Sequence, residues 1–401
     1  MAGQGLPKEI RRRLYAFARG VASPFTDSRR RGFIEDMIPG LLISGHVHLS
    51  KVARAVSPGN ANIHSVEKRL STHLGSEHWN MGPVAAELLT RSARLVNEDT
   101  LITADLTDLA KPYARKLEGL GRVHDGSDPG KRIVAGYMVF EAYVRVGKWQ
   151  LFPLVLEPLK TYAGAPTSEN AEISAQVLCI HQATQGKATW VLDRGFDRDE
   201  LMLLWLKQPV GFVIRQRGDR HVLLGDGRKL AVTDVAAELQ PPAWPKRWPK
   251  HGYTTSREVW LPEAPDQPLL LVVHWRRPNA EPLLLLASPA ARRPSRRAEW
   301  FVKAYGRRWG VEDATWGIKQ RLHLEDFLVR SWMSLRRLLW LVAWAFYWLN
   351  LWGEDRYQRL REVLLRHPWR LPKEVTYLFD WIALYISHLL HPKPIWDATG
   401  G

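Results

Sequence analysis

The chain is poor in cysteine and short of acidic side chains. One cysteine, Cys179, stands among 401 residues, so an internal disulfide is excluded. No Cys/His cluster has zinc spacing either, which points to a reducing compartment. The opening GQGLPKEIRRRL lacks an apolar core, so no secretory signal is expected. No internal repeat or low-complexity tract is present. A membrane-spanning helix needs about 20 apolar residues, whereas the run LLWLVAWAFYWL at 338–349 has 12. With Arg336 and Arg337 before it and Asn350 after it, a buried core helix is expected there, and no membrane association. Acids are the scarcer charge, 41 Asp+Glu against 57 Lys+Arg, a formal net charge of +16. That excess implies a polyanionic partner, nucleic acid or an acidic membrane surface. Residues 292–337 carry twelve Lys/Arg against five Asp/Glu.

A hydrophobic content of 45% and a charged content of 24% are globular values and exclude a disordered or fibrous chain. At roughly 100–200 residues per domain, the length suggests two or three domains. Residues 1–100 read as helical and show no strand-like alternation. Within them 46–56 (HVHLSKVARAV) places its apolar residues mostly on one helical face. Ser57-Pro58-Gly59-Asn60 breaks it, and a second helix carries Ile63, Val66, Leu70 and Leu74, with Asn62 placed to cap its start and Gly75 to end it. The pair is compatible with a helix-turn-helix DNA contact using Lys68 and Arg69.

From 101 the texture changes. LITADLTDL (101–109), KRIVAGYMVFEAYVRV (131–146) and LFPLVL (151–156) read as strands in series. A helix (169–185), a buried strand ATWVL (188–192), a second helix (198–207) and a strand GFVIR (211–215) follow. That order predicts an α/β domain with a mixed sheet flanked by helices. Residues 217–297 hold 11 of the 26 prolines and read as a separate β insertion. Helices resume near 295 and run through 298–353 into a C-terminal helical region at 354–401.

Two acids follow apolar strands, Asp105 after LITA and Asp193 after TWVL. An acid at the carboxyl end of a buried strand projects from the sheet edge where sites of open α/β folds lie. Asp108 and Asp197 are the nearby rivals, and the strand-terminal pair is favoured because it leaves rigid elements directly. A third acid comes from helical arithmetic on WFVKAYGRRWGVEDATWGIK (300–319). At about 100° per residue, Tyr305, Arg308, Glu312 and Lys319 fall at about 0°, −60°, −20° and −40° on one helix. Trp309 and Trp316 border that stripe. Acid and bases on one inward face suit phosphate handling, the carboxylate holding a metal while Arg and Lys hold a nucleic-acid backbone.

Tyr305, Arg308, Glu312 and Lys319, spaced by two, three and six residues, match the Tyr-Arg-Glu-Lys signature of one group of bacterial insertion-sequence transposases of the DDE class. LITADLTDLAKPY resembles the first-aspartate segment of that family and VLDRGFD its second, with the β-rich 217–297 in the place of its insertion. The resemblance covers about 100–350. It implies an RNase H-like core with a metal-binding triad of Asp105, Asp193 and Glu312, and Tyr305, Arg308 and Lys319 contacting the DNA end. It also implies element terminal repeats and target DNA as substrates, a homodimer in the DNA complex, and a bacterial, nucleoid-associated cytoplasmic location. A hairpin at the element end belongs to the same implication.

Three carboxylates without paired Cys or His favour Mg2+, with Mn2+ as the alternative. Two such ions about 3.5–4 Å apart serve an in-line displacement at phosphorus. Water is expected to attack first, releasing a 3′ hydroxyl that then attacks target DNA. Trp309 and Trp316 are candidates for stacking on unpaired bases near the cut, whereas Trp340, Trp344 and Trp348, spaced by four in the apolar run, are expected in the core. An RNase H-like nuclease or resolvase that cuts without joining, and a non-catalytic DNA-binding descendant of a transposase, stay open on sequence alone.

Overall fold

A computed structural model describes residues 5–57, 62–124, 130, 132–147, 150–241, 244 and 249–352, with 382–383, 386–387 and 390 beyond them. The chain begins with helices α1 (Gly5–Ala22), α2 (Ser28–Ser44), α3 (Leu49–Val56), α4 (Ile63–Gly75) and α5 (Gly82–Ala93). Asn62 caps α4 as its sequence position suggested, its side-chain oxygen accepting from the backbone N–H groups of His64 and Ser65 at 3.1 and 3.3 Å. The preceding helix is shorter than 46–56, because α3 starts at Leu49. His46 to His48 form a loop whose Val47 N–H donates to the Leu322 carbonyl at 2.9 Å, tying the helices to a distant part of the chain. Ser57 ends α3, and the expected break at 58–60 lies outside the described residues.

Strands β1 (Leu101–Ala110), β2 (Gly121–His124), β3 (Ile133–Val146) and β4 (Gln150–Leu159) precede α6 (Glu169–Ala183), β5 (Thr189–Leu192), α7 (Asp199–Lys207) and β6 (Phe212–Arg215). The molecule is mixed α/β. β3 pairs antiparallel with β1, β2 and β4, while β5 runs parallel to both β1 and β6. β5 and β6 are buried throughout or nearly so, which explains their continuous apolar sequences.

The proline-rich segment contributes β7 (His221–Leu223), β8 (Lys229–Ala231), α8 (Val232–Glu238), β9 (Tyr253–Leu261), β10 (Ala264–Trp275) and β11 (Leu283–Ala287). Its strands are not set apart from the core. β11 pairs antiparallel with β6, so one eleven-stranded sheet runs through both. The prolines sit where the ladder yields: Pro265 and Pro268 fall in the interval between Ala264 and Leu269 where the register with β9 shifts, since a proline has no N–H to offer.

The last helices are α9 (Ala298–Gly306), α10 (Trp309–Arg321) and α11 (Trp332–Asn350). α11 is buried nearly all round, as its apolar run and length indicated, with Trp340, Trp344 and Trp348 in the core. No helix among the described residues is long and apolar enough to cross a membrane. α11 packs on β4 and on α2, α4 and α5, so the N-terminal helices and the sheet share one core. The buried Arg337 of α11 reaches back to them, donating to the carbonyl oxygens of Leu74, Ser76 and Trp79 at 2.9, 2.6 and 2.7 Å. It thereby satisfies carbonyls at and beyond the end of α4 that no helical N–H can reach. Of the expected 354–401 helical region, the described positions are helical at 382–383, 386–387 and 390. Ser387 donates to the Ile43 carbonyl at 2.9 Å, and the remainder lies outside the described residues.

Arg337→Met keeps the stem of the side chain but leaves several buried carbonyls without donors. It is expected to destabilise the fold by on the order of 3 kcal/mol, read as a lowered urea midpoint at unchanged slope.

Candidate active site

β1 extends further than LITA suggested, to Ala110. Asp105 is therefore a mid-strand residue, held there because β3 keeps pairing with β1 up to Ala110. It still marks an edge of another kind. The parallel ladder between β1 and β5 ends at Thr103 and Val191, and β5 itself stops at Leu192. Asp193 follows at once, its carboxylate accepting from the Gly195 N–H at 2.8 Å and capping a short turn at Arg194–Phe196. Asp105 and Asp193 thus lie just beyond the carboxyl end of the same parallel ladder. The rivals are otherwise engaged. Asp197 is buried and binds the Arg220 guanidinium and the Arg217 N–H, at 2.6 and 2.8 Å. Asp108 lies 3.6 Å from the Lys319 ammonium.

The single helix expected across 300–319 is two helices. α9 ends at Gly306, and Arg307 and Arg308 form a turn before α10. The Arg307 and Arg308 N–H groups reach back three residues, to the Ala304 and Tyr305 carbonyls, instead of four, and this tightening interrupts the α-helical ladder. Tyr305 therefore belongs to α9, Arg308 to the turn, and Glu312 and Lys319 to the first and last turns of α10. The one-stripe picture fails across the break, yet the break places Arg308 inward. Its guanidinium donates through Nη2 to Glu312 Oε1 and holds Nη1 3.5 Å from Asp105 Oδ2. The Tyr305 and Trp309 rings lie 5.8 and 5.7 Å from the same guanidinium. Burial, with the Asp193 charge adding to it, pushes the Asp105 carboxyl up to about 7; Arg308 opposes this and Glu312 reinforces it. Asp105, Asp193, Glu312, Arg308 and Tyr305 are brought together.

Other expected contacts are placed differently. Lys319 is held between Asp108 and Glu325, 3.2 Å from the latter. On α4, Lys68 is exposed, whereas Arg69 pairs with Asp36 of α2 at 2.5 Å. Among the described residues Trp309 and Trp316 are the exposed tryptophans, 61% and 45% accessible, with the Arg321 guanidinium 5.6 Å from the Trp316 ring.

One carboxylate of the site was not singled out from sequence. Glu141 of β3 faces Asp105 across the ladder and is 1% exposed. Tyr143 donates to it at 2.8 Å, and it meets the hydroxyl of Thr315, one turn beyond Glu312 on α10. That hydroxyl has one proton and a second acceptor, the Val311 carbonyl at 2.9 Å. Thr315 donates to Glu141 and shares that proton with the Val311 carbonyl, while burial pushes the Glu141 carboxyl up to about 8 against its two hydroxyl donors. The signal in the sequence was an acid in mid-run within YMVFEAYV, where a buried charge needs partners from elsewhere.

A different cluster has the tightest metal-like geometry. The ligand atoms of His46, His323 and Asp326 lie within 4.8 Å of one another, the only such group of three among the described residues. Its hydrogen bonding argues against ligation. His46 Nδ1 accepts from the His48 N–H at 3.0 Å, which leaves the neutral ring's proton on Nε2, 3.3 Å from Asp326. That nitrogen donates and has no lone pair to offer a metal. By contrast Asp105 and Glu312 flank a guanidinium, and Asp193 adds its charge to Asp105. No model of a known protein family matches the chain. A search of curated proteins finds no match either. Three carboxylates supply only oxygen donors, a set that suits a hard divalent cation; burial, and then the charge of Asp193, hold the Asp105 carboxyl up to about 7.

Without divalent ions, ionising Asp105 costs native stability. The folded carboxyl keeps its proton up to about 7 while the unfolded one releases it near ~3.9, so stability drains away as pH rises between those values. Asp105→Asn should melt higher than the parent at pH 8 in EDTA, by on the order of a few kcal/mol, with the gain vanishing towards pH 4. Thermal melts at both pH values check this.

Proposed function

We propose that this chain is a metal-dependent DNA transposase of the DDE class, cutting at insertion-sequence ends and joining them to target DNA. The observation that carries the reading is the meeting of three acids from distant segments. Asp105 feels the charges of Asp193 and Glu312, and one arginine of the Tyr-Arg-Glu-Lys spacing touches both Asp105 and Glu312. The three antiparallel strands β1, β3 and β4, followed by parallel β5 and β6 between helices, support an RNase H-like core. The net charge of +16 supports double-stranded DNA as partner.

In this reading Asp105, Asp193 and Glu312 hold Mg2+, or Mn2+ in its stead. Bound cations supply activation of the attacking oxygen and stabilisation of the leaving oxygen. The protein's own groups arrange the rest. Arg308 and Tyr305 hold the phosphate beside the scissile bond, and Lys319, after release from Asp108 and Glu325, takes the next one. The open face of Trp309 offers a platform for an unpaired base. Glu141, neutral and bonded to Thr315, keeps α10 seated on the sheet without adding a fourth negative charge. Lys68 on α4 contacts the terminal repeat, and two chains bridge two ends in the bacterial nucleoid.

The deciding experiment incubates the purified chain with its flanking terminal DNA, with and without Mg2+. Cuts leaving 3′ hydroxyls, followed by joining to a second duplex, are expected. Cutting without joining would instead mark a nuclease or resolvase, and binding without either a non-catalytic descendant. Asp105→Ala, Asp193→Ala and Glu312→Ala should each abolish cutting and keep end binding in a gel-shift assay. Arg308→Ala or Lys319→Ala should weaken binding and lower the log–log salt slope by about 1.

A further inference from the structure

We propose that Arg308 is an internal counter-cation, its guanidinium occupying the ground between Asp105 and Glu312 until a divalent ion and a DNA phosphate together displace it. The proposal rests on the reading of the three acids as a cation site.

Four observations lead to it. Arg308 is 6% exposed and touches the carboxylates of both Asp105 and Glu312. Its hold on them is incomplete, since the buried Nε and Nη1 atoms have no hydrogen-bond partner. A guanidinium carries five donors in a planar fork, and burying donors unused is costly. The residue also stands in the turn between α9 and α10, with no side-chain cap bond to the helix it begins. Its side chain can therefore swing without breaking helical hydrogen bonds. Finally, the carboxylate oxygens of Asp105, Asp193 and Glu312 do not close to within 4.8 Å of one another, while a histidine-containing cluster elsewhere does.

A guanidinium and a divalent cation compete for these carboxylates, because buried like charges close together repel. Arriving cations expel Arg308, and the expelled fork finds a better partner in a phosphate, which it can bind bidentately. Each ligand thus favours the other. By linkage, metal affinity rises when a DNA end is bound and end affinity rises when metal is bound, by the same factor. Without DNA, the arginine holds the site closed to metal, so cleavage chemistry is assembled only on a substrate.

The test measures Mn2+ binding to the full-length, DNA-free chain by the electron paramagnetic resonance signal of free Mn2+. It compares the parent with Arg308→Gln and with Arg307→Gln, which removes the same charge from an exposed neighbour. Arg308→Gln is expected to bind Mn2+ at least about tenfold more tightly than the parent, and Arg307→Gln to stay within about twofold. A gain shared equally by both variants, or no gain in Arg308→Gln, overturns the proposal while leaving the carboxylate site standing. Failure of all three proteins to bind Mn2+ overturns the proposal and the metal reading together. A second readout needs no change at Arg308. With 5-fluorotryptophan incorporated, the Trp309 resonance assigned by Trp309→Phe and terminal DNA already bound, adding Mg2+ should shift that fluorine signal as the guanidinium leaves its ring. A resonance that stays put through saturation overturns the exchange.

Discussion

One buried guanidinium placed among converging carboxylates organises this molecule. Asp105 reaches the site from a strand, Asp193 from the turn after another, and Glu312 from a helix more than a hundred residues further on. Burial first, and then the charge of Asp193, make the Asp105 carboxyl resist ionising. Arg308 offsets part of that effect and is itself stranded in a place where several of its donors go unused. Functional sites often keep such unresolved conflicts, because a locally contented arrangement would have no affinity left for a ligand.

The surrounding fold makes the conflict tolerable. α10 cannot retreat from the sheet, since Thr315 is bonded to the buried Glu141 of β3. Burial there disfavours the charged carboxylate, so Glu141 seats the helix while being held back from adding to the repulsion beside it. α11 performs a comparable task at larger scale. Its tryptophans fill the core, with the Trp344 indole donating to the Val84 carbonyl at 2.9 Å, and Arg337 gathers the carbonyls beyond α4. The rigidity of the site is thereby borrowed from contacts distant from it in sequence.

Much of this was legible in the sequence, and the unread parts have physical causes. Asp193 stood out because a four-residue buried strand ends sharply before it. The run at 338–349 stood out because it is too short to span a bilayer. The mid-strand place of Asp105 did not, since nothing local shows that β3 will go on pairing past Ala104. The break between α9 and α10 escaped because Gly306 and two arginines are tolerated in a helix, and only tertiary contact selects the tight turn. Glu141 escaped for a related reason: its partners Tyr143 and Thr315 make it acceptable in the core, and one of them is 174 residues away. The prolines of 217–297 suggested a separate β insertion, whereas β11 pairs with β6 in the one sheet, a pairing that depends on strand edges composition does not reveal.

The shared core of α11 and the N-terminal helices has a consequence for reach. α3 and α4 do not hang from a linker: bolted to α11 through Arg337 and to the chain beyond α10 through the bond from Val47 to Leu322, they stand at a set interval from Glu312. Under the proposed function, that interval is a ruler machined into the protein, fixing the distance from a bound sequence to a broken bond.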